Sequence, residues 1–440
     1  MTLRVSPTAG DTTTDVPEVR GRLRLGRTAA FVGTSLAAAG LYLASGAPTP
    51  VLLLLQEQWS FPSWVLTVAF AAYSFGLILA LLVAGKLSDH IGRRPVLIGA
   101  LAVQAVAMAG FVVAPNIVWV IAARVLQGIA TGAATSAFTA SIVELAPERF
   151  KRLGSVIAGV VPPAGLGLGA LFAGVTIQFS PIADLIVFTV LSAVAVLGLA
   201  VAALSPETSS RQSGAVRSLV PRVAVPPAAR AEFAASLPGI VATWTLGALF
   251  LGLGPTIVLQ VFHIDSGAVD GVVAFVSPGA AAVAALLLGK VAVRRVLAWA
   301  GIAVLVGAFA VVASVYSGSL ALFVAGGIAG GVGFGAALSG ALRVLTGLAH
   351  PHERAGVFAA VYTVAYLSFG TPAVIGGLLI APLGLTTTVV LYGVVVLLAA
   401  ATGLVAQQRR AAAERERVAT ERAARPVTAP TPCPNGPATI

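Results

Sequence analysis

The chain contains about twelve apolar stretches that are each long enough to cross a membrane, and this feature constrains its fold more than any other. A bilayer core is about 30 Å thick, so a helix needs roughly 20 apolar residues to span it. Because lipid cannot hydrogen-bond a free backbone amide, and because the stretches lack the alternating pattern of barrel strands, each one predicts a helix. The predicted spans cover residues 30–55, 65–88, 95–114, 117–144, 154–178, 182–204, 234–261, 269–289, 295–316, 319–347, 356–380 and 385–406.

The composition agrees with a protein that lies within a lipid bilayer. The 440 residues are 58% hydrophobic, with a mean hydropathy of +0.97, which is far from the values of a soluble domain. The first apolar stretch is too long for the core of a signal peptide, so we expect it to be retained as a span. The predicted fold class is therefore an all-α integral membrane protein.

Basic residues fall on one side of the predicted membrane domain. Of the 27 Lys and Arg, all except Arg124 and Arg343 lie in the tails or in alternate connections. The positive-inside rule then places both termini in the cytoplasm, in a multi-pass protein of the cytoplasmic membrane. Topology explains the net charge of +11, so we expect no nucleic-acid partner. The ionisable residues assigned to the outer loops are Glu57, Asp184, His263, Asp265 and Asp270.

A polar segment divides the apolar stretches into six and six. Residues 205–233 are rich in Pro, Ser and Arg and form the predicted cytoplasmic central loop. We expect an N-terminal cytoplasmic tail at 1–28, six-helix bundles at 29–204 and 234–406, and a partly disordered cytoplasmic C-terminal tail at 407–440.

The two halves repeat short features at nearly equal offsets, which predicts two pseudo-symmetric bundles. The recurring pairs are Gly85-Lys86 with Gly289-Lys290 at an offset of 204, Glu148-Arg149 with Glu353-Arg354 at 205, and Pro48 with Pro255 at 207.

The connection between the second and third spans reads GKLSDHIGRR, residues 85–94. It resembles the signature loop of the major facilitator superfamily, with His90 at the position of the usual Arg or Lys. The resemblance implies twelve helices, secondary transport by rocker-switch alternating access, and a loop that stabilises the outward-facing state where the second and eleventh helices meet. The implied gating residues are Gly85, Asp89, Gly92, Arg93 and Arg94, with Glu144 at the inner end of the fourth helix. The alternative is that the loop only fixes topology through its positive charge.

Arg124 lies inside the fourth span, in the stretch RVLQGIATG. A charge at such a depth is costly and points to a cavity or a partner. The stretch resembles a fourth-helix motif of the same superfamily, in which the Arg is implicated in coupling to proton movement. The alternative is an Arg that snorkels outward or braces a neighbouring helix.

The fifth span, GSVIAGVVPPAGLGLGALFAG, resembles the glycine-rich antiporter motif of drug exporters, with Gly169-Ala170 where Gly-Pro is expected. The eleventh span has a counterpart at Gly370-Thr371-Pro372. Such residues let helices bend and pack closely, whether a transporter imports or exports, so the resemblance favours efflux without requiring it. The residues expected to bend helices are Pro48, Pro162, Pro163, Gly165, Gly169 and Pro372.

Polar and aromatic side chains inside the spans are the candidates for substrate binding, with plain packing as the alternative. They are Tyr42, Tyr73, Gln127, Trp244, Tyr362 and Tyr366. Since no Asp or Glu is expected in mid-membrane, neutral, zwitterionic or anionic amphipaths are favoured over cationic compounds.

The sequence lacks a nucleotide-binding loop, a metal-ligand cluster and an acidic catalytic pair, so neither ATP-driven pumping nor enzyme activity has residues to support it. We expect no cofactor and no metal. The predicted function is proton-coupled efflux of small amphipathic compounds by a monomer. The alternative is proton-coupled uptake of a small metabolite such as a sugar or an organic acid.

Overall fold

The computed structural model describes residues 24–210, 212–220, 223–289, 291–350 and 353–424. Residues 1–23, Lys290 and the end of the predicted C-terminal tail, residues 425–440, lie outside the described residues. Within the described ranges the chain forms α-helices, with one 3₁₀ turn at Glu148–Phe150. The helices are α1 (Arg27–Gly46), α2 (Pro48–Trp59), α3 (Ser63–Ala84), α4 (Leu87–Ile91), α5 (Arg93–Val112), α6 (Ile117–Leu145), α7 (Lys151–Phe179), α8 (Ala183–Leu204), α9 (Ala215–Ser218), α10 (Pro227–Gly252), α11 (Gly254–Gln260), α12 (Gly267–Leu288), α13 (Val293–Ser317), α14 (Leu320–Gly347), α15 (Arg354–Leu383) and α16 (Leu385–Ala424).

The described chain has twelve segments long and apolar enough to cross a membrane, which confirms the predicted fold class. The first segment is made of α1 and α2, which are separated at Ala47, immediately before Pro48. The seventh is split in the same way at Leu253, before Gly254 and Pro255. Both prolines lie in the first turn of the second helix, where a missing backbone N–H costs least. Pro48 therefore marks a break in the first span.

Two helices extend beyond the predicted spans on the side of the termini. The seventh span starts at Pro227 rather than at 234, because Pro227 fits the first turn and the Ala-rich stretch after it favours helix. The last helix continues to Ala424, well into the predicted tail.

Helices α1–α8 pack as one bundle and α10–α16 as a second. The bundles meet mainly along two helix pairs, α7 with α12 and α3 with α15. The two-fold repeat of the sequence relates these two pairs to each other. The second span (α3) corresponds to the eighth (α12), and the fifth (α7) corresponds to the eleventh (α15). Each bundle has its own buried apolar clusters, and a further cluster joins Phe70 and Ala170 of the first bundle to Trp244 and Phe369 of the second.

The start of α1, the described parts of the connection between α8 and α10, and the end of α16 lie on one face of the protein, which we name the terminal face. The opposite face, the distal face, contains the starts of α6, α12 and α14. Each of these starts is capped by a side chain that accepts a backbone N–H of the first turn, from Asn116, Ser266 and Ser319 respectively. The caps define where these three helices begin.

Candidate functional site at the junction of the two bundles

An aromatic cluster lies where the two bundles meet. Trp244 of α10 packs against Tyr366 of α15 and Phe334 of α14, with ring centroids 4.8 and 4.9 Å apart. Phe369 lies 5.9 Å from Trp244 and only 5.1 Å from Phe70 of α3, so the cluster crosses the junction. Its members come from helices that move relative to each other if the bundles move.

Three further tyrosines, from both bundles, lie close to this cluster. Tyr362 stacks on Tyr366 at 6.2 Å, and Tyr366 is within electrostatic range of Tyr42 and Tyr73. The Tyr42 hydroxyl donates to Thr135 Oγ1 at 3.2 Å. The structure thus brings five of the six predicted binding residues together at one junction.

Two buried donors at the junction have no hydrogen-bond partner among the described residues, the Nε1 of Trp244 and the Oγ of Ser74. Ser74 lies on α3 beside Gly370 of α15. Leaving a buried donor unpaired costs free energy, which is recovered when a ligand or water accepts the hydrogen bond. The arrangement suits an aromatic or amphipathic molecule with an acceptor group.

Arg124 is buried, with 1% of its surface exposed, and its guanidinium is surrounded by backbone carbonyls. Its Nε donates to Ala69 O at 3.2 Å, and its two terminal nitrogens donate to Ser45 O at 3.3 Å and Phe70 O at 3.4 Å. The charge also lies 4.8 Å from the ring centre of Tyr73. Arg124 therefore joins α6 to α1 and α3.

Gln127 adds two hydrogen bonds to these contacts of Arg124. Its Oε1 accepts from Arg124 at 2.6 Å, and its Nε2 donates to Ala44 O at 2.7 Å. Both ends of the amide are therefore engaged within the first bundle, unlike the unpaired donors of Trp244 and Ser74.

Apart from Pro48, the glycines and prolines expected to bend helices lie in continuous helices. Pro162 and Pro163 lie inside α7, and Pro372 lies inside α15. Gly165 and Gly169 lie against α1. A Cβ on Gly165 would lie 2.7 Å from Tyr42 Cβ, and a Cβ on Gly169 would overlap the backbone of Leu43. These two glycines allow α7 to pack closely on α1.

The charged loop after α3 forms a network inside the first bundle. Arg93 pairs with Asp89 and donates to Ser88 Oγ at 2.8 Å, and its other terminal nitrogen lies 3.4 Å from the Glu144 carboxylate. The backbone carbonyl of Gly85 accepts from Ser136 of α6 at 2.9 Å. The loop, the start of α5 and the end of α6 are thus joined at the terminal face.

Glu207, which no sequence motif indicated, belongs to the same network. Its carboxylate accepts the backbone N–H groups of Arg93 at 2.8 Å and Arg94 at 3.1 Å, at the start of α5. Gly92 lies before them at φ +103°, and a Cβ there would collide with this carboxylate. The neighbouring Thr208 donates to Glu144 Oε2 at 2.5 Å.

The second bundle carries a matching ion cluster around a different acid. Glu232 of α10 is 2% exposed and accepts from Arg294 at 3.1 Å and from Arg410 at 3.4 Å. Arg294 belongs to the repeat of the charged loop, which lacks its own acid in the sequence. Glu232 supplies the missing carboxylate from 62 residues earlier.

The bundles are in close contact near the distal face. A Cβ on Gly174 of α7 would lie 2.6 Å from Gly271 N of α12. Beyond this contact, Gln178 Oε1 accepts from Ser266 Oγ at 2.7 Å, which links the end of α7 to the start of α12. On the other helix pair, Gly377 of α15 lies directly against Thr67 of α3. The distal face is therefore closed.

A family model described as "Major Facilitator Superfamily" matches residues 34–314, well over half of the chain. The chain is a member of the Major Facilitator Superfamily. It is accordingly a secondary transporter and not an enzyme.

Solved structures of other superfamily members share the fold. A bacterial homolog to the human lysosomal transporter Spinster, in an inward-facing and unoccupied conformation, superposes with a TM-score of 0.67 at 15% identity, over 87% of this chain and 97% of that one. The human organic anion transporter MFSD10 (TETRAN) gives a TM-score of 0.63 at 16% identity, over 86% of this chain and all of that chain.

Two curated proteins match shorter segments of the chain. An uncharacterized MFS-type transporter, YfkL, of Bacillus subtilis (strain 168) is 28% identical over 125 residues, which are 28% of this chain and 30% of that protein. A D-xylose transporter of Levilactobacillus brevis is 30% identical over 104 residues, 24% of this chain and 23% of that protein. The matched segments span less than a third of either relative.

Proposed function

We propose that this superfamily member exports small amphipathic compounds from the cytoplasm in exchange for protons. The observation that carries the proposal is the aromatic cluster at the bundle junction, with the unpaired N–H of Trp244 and the nearby tyrosine hydroxyls. Aromatic faces bind apolar rings, and a few hydrogen-bonding groups orient them. An amphipathic compound offers both kinds of surface.

The orientation proposed places the terminal face in the cytoplasm. All described Lys and Arg other than Arg124 and Arg343 lie in the tails, in connections on this face or in the helix turns beside them, as the positive-inside rule requires. With the distal face closed, this conformation is then closed towards the outside. Rocking of the bundles about the α7–α12 and α3–α15 contacts would open the distal face and bring the bundles together at the terminal one.

The charged loop after α3 is proposed to act as the latch of the outward-facing conformation. Here the Asp89 side chain is half exposed and bound by Arg93 of its own bundle. It is thus available at the terminal face when the second bundle approaches. Gly85, Gly92, Arg94 and Glu144 hold the loop in position for that contact.

Arg124 is proposed to link proton movement to the junction. It contacts Tyr73, which lies next to the aromatic cluster, so a change in the charge or hydration of the junction reaches α1, α3 and α6 through one side chain.

The second candidate function is uptake of a small sugar, and the similarity to the D-xylose transporter segment favours it. A sugar needs several hydrogen bonds from the site. The tyrosine hydroxyls and the Trp244 N–H supply donors for this role as well.

Purified protein in proteoliposomes separates the two candidates. We expect a fluorescent amphipathic dye to move against its gradient when a proton gradient is imposed, with no uptake of D-xylose. Movement that persists unchanged after the pH gradient is collapsed contradicts proton coupling. D-xylose uptake without dye transport supports the second candidate.

A pair of tyrosine variants tests the site itself. Tyr366→Ala removes a ring that packs on Trp244, and we expect dye transport to fall about tenfold, which corresponds to about 1.4 kcal/mol. Tyr316→Ala is the matched control, because Tyr316 is 74% exposed at the distal end of α13. Equal transport by the two variants argues against a binding role for the aromatic cluster.

A further inference from the structure

A cavity of about 40 Å³ lies at the distal face, where the two bundles meet. Apolar residues of α2, α7 and α11 line it, together with three carboxylates, Glu57 of the first bundle and Asp265 and Asp270 of the second. Its volume admits water molecules. Because both bundles contribute walls, the cavity exists only while the distal face is closed.

Asp270 is the deepest charged group of this cavity. It lies in the first turn of α12 and is 9% exposed, and its Oδ1 is buried without a hydrogen-bond partner among the described residues. An ionised carboxylate that loses its water without gaining a partner is strongly unfavourable.

Two further carboxylates belong to the lining of the cavity. Glu57 of α2 and Asp265 of the α11–α12 connection are both exposed, and each repels the charge of Asp270 and of the other. Closing the distal face brings Glu57 of the first bundle towards Asp265 and Asp270 of the second.

Little else at this end of α12 compensates the negative charge. The helices packed against α12 are α2, α7, α10, α11 and α14. Apart from Glu57, the ionisable residues of their described parts lie at the terminal face. His263, on the same connection as Asp265, is exposed and outside the cavity lining. The N-terminal dipole of α12 favours the anion and so opposes this repulsion.

We propose that Asp270 is a proton-binding site whose occupation closes the distal face. When the face is open, water hydrates the carboxylate and the proton leaves readily. When the face closes, the carboxylate is buried beside two negative charges, so the neutral acid has the lower free energy. Acidic solution at the distal face therefore favours the closed form, and alkaline solution favours opening. Under the proposed orientation, the conformation that is closed towards the outside responds to external pH.

The contact between bundles explains how one proton changes the whole junction. Asp270 precedes Gly271, whose backbone packs against Gly174 of α7. The start of α12 cannot approach α7 without burying Asp270.

Distance measurements between spin labels test the proposal in detergent, without any transport assay. In a Cys433→Ser background, labels at Ile182→Cys and Tyr316→Cys report the separation of the bundles, since both positions are exposed at the distal face. The parent protein is expected to show the short distance at acidic pH and a longer one at alkaline pH. Asp270→Asn is expected to show the short distance throughout.

A second variant keeps Asp270 and changes only its surroundings. In Glu57→Gln with Asp265→Asn, an ionised Asp270 is less unfavourable in the closed form, so the short distance should persist to a pH about one unit higher. This variant decides the question if Asp270→Asn does not fold. Asp184→Asn, an acid on α8 away from the cavity, should follow the parent.

The proposal is overturned if the parent distance does not depend on pH, if Asp270→Asn follows the parent, or if Asp184→Asn alone removes the response. A protein that moves no dye but shows the expected distances would leave the proton site standing while the proposed substrate class fails.

Discussion

The carboxylate of Glu207 accepts the backbone N–H of Arg93 at 2.8 Å, across 114 residues of sequence. This one contact places the entry of the central connection on the first turn of α5. The side chain of the same Arg93 binds Asp89 and Glu144, so backbone and side chain together join three segments at the terminal face.

Replacing Glu207 by Gln should loosen this junction. The amide keeps one acceptor oxygen but loses the negative charge that the start of a helix favours, so we expect a loss of about 1 kcal/mol in stability. The apparent Tm in detergent measures this. Glu148→Gln is the matched control, because Glu148 is exposed and pairs with Lys151, three residues on, which lowers the pKa of its carboxyl. An equal Tm loss in both variants contradicts a capping role.

Gly92→Ala should destabilise the protein by about 1–2 kcal/mol. The residue has φ +103°, and an added Cβ displaces the Glu207 carboxylate. Gly99→Ala on the same side of the membrane domain is the control, since its Cβ meets no atom within 4 Å and helical Ala is favoured over Gly. Thermal unfolding of the two variants should shift in opposite directions.

Gly174→Val should prevent closure of the distal face. The side chain needs the space occupied by the backbone of Gly267 and Gly271. The spin-label distance across this face should lengthen at every pH, while Gly159→Val in the same helix, with open space around its Cβ, leaves it unchanged. A short distance in Gly174→Val would mean that the α7–α12 contact does not control closure.

Arg124→Lys separates bracing from proton coupling. A lysine keeps the charge but cannot reach all the carbonyls that the guanidinium fork binds, and each unpaired carbonyl costs about 1–3 kcal/mol. We expect a lower apparent Tm together with slower transport. If the variant keeps the parent's Tm but its transport no longer depends on the proton gradient, Arg124 acts in coupling alone.

The number of membrane spans was predictable because apolar length is a local property of the sequence. A bend at Pro48 was expected for the same reason, since proline acts on its own helix, whereas Pro255 was recognised only as its repeat and the break before it was not expected. The repeat predicted two pseudo-symmetric bundles, and the family resemblance of the charged loop implied the contact between α3 and α15.

The acids that organise the terminal face were not predictable in this way. Glu207 and Glu232 lie in a polar, proline-rich segment that reads as a solvated linker. Their partners, Arg93 and Arg294, are far away in sequence. The missing acid in the second charged loop was a usable signal, because an arginine repeated without its carboxylate has to find one elsewhere.

The sequence placed Asp270 in an outer loop, whereas the structure places it in the first turn of α12, nearly buried. Its surroundings depend on how the bundles meet, which a count of apolar residues does not encode. The same holds for Gly165 and Gly169, whose role as contact points for α1 follows from the packing of two helices.

The connection between the bundles is attached at both ends. Glu207 binds it to the first bundle, and Ala224 packs against Gly356 of α15 in the second. Each bundle thus holds one end of the connection against its own surface. Cleavage between residues 212 and 220 would leave both ends attached, and the two fragments would remain associated through the α7–α12 and α3–α15 contacts.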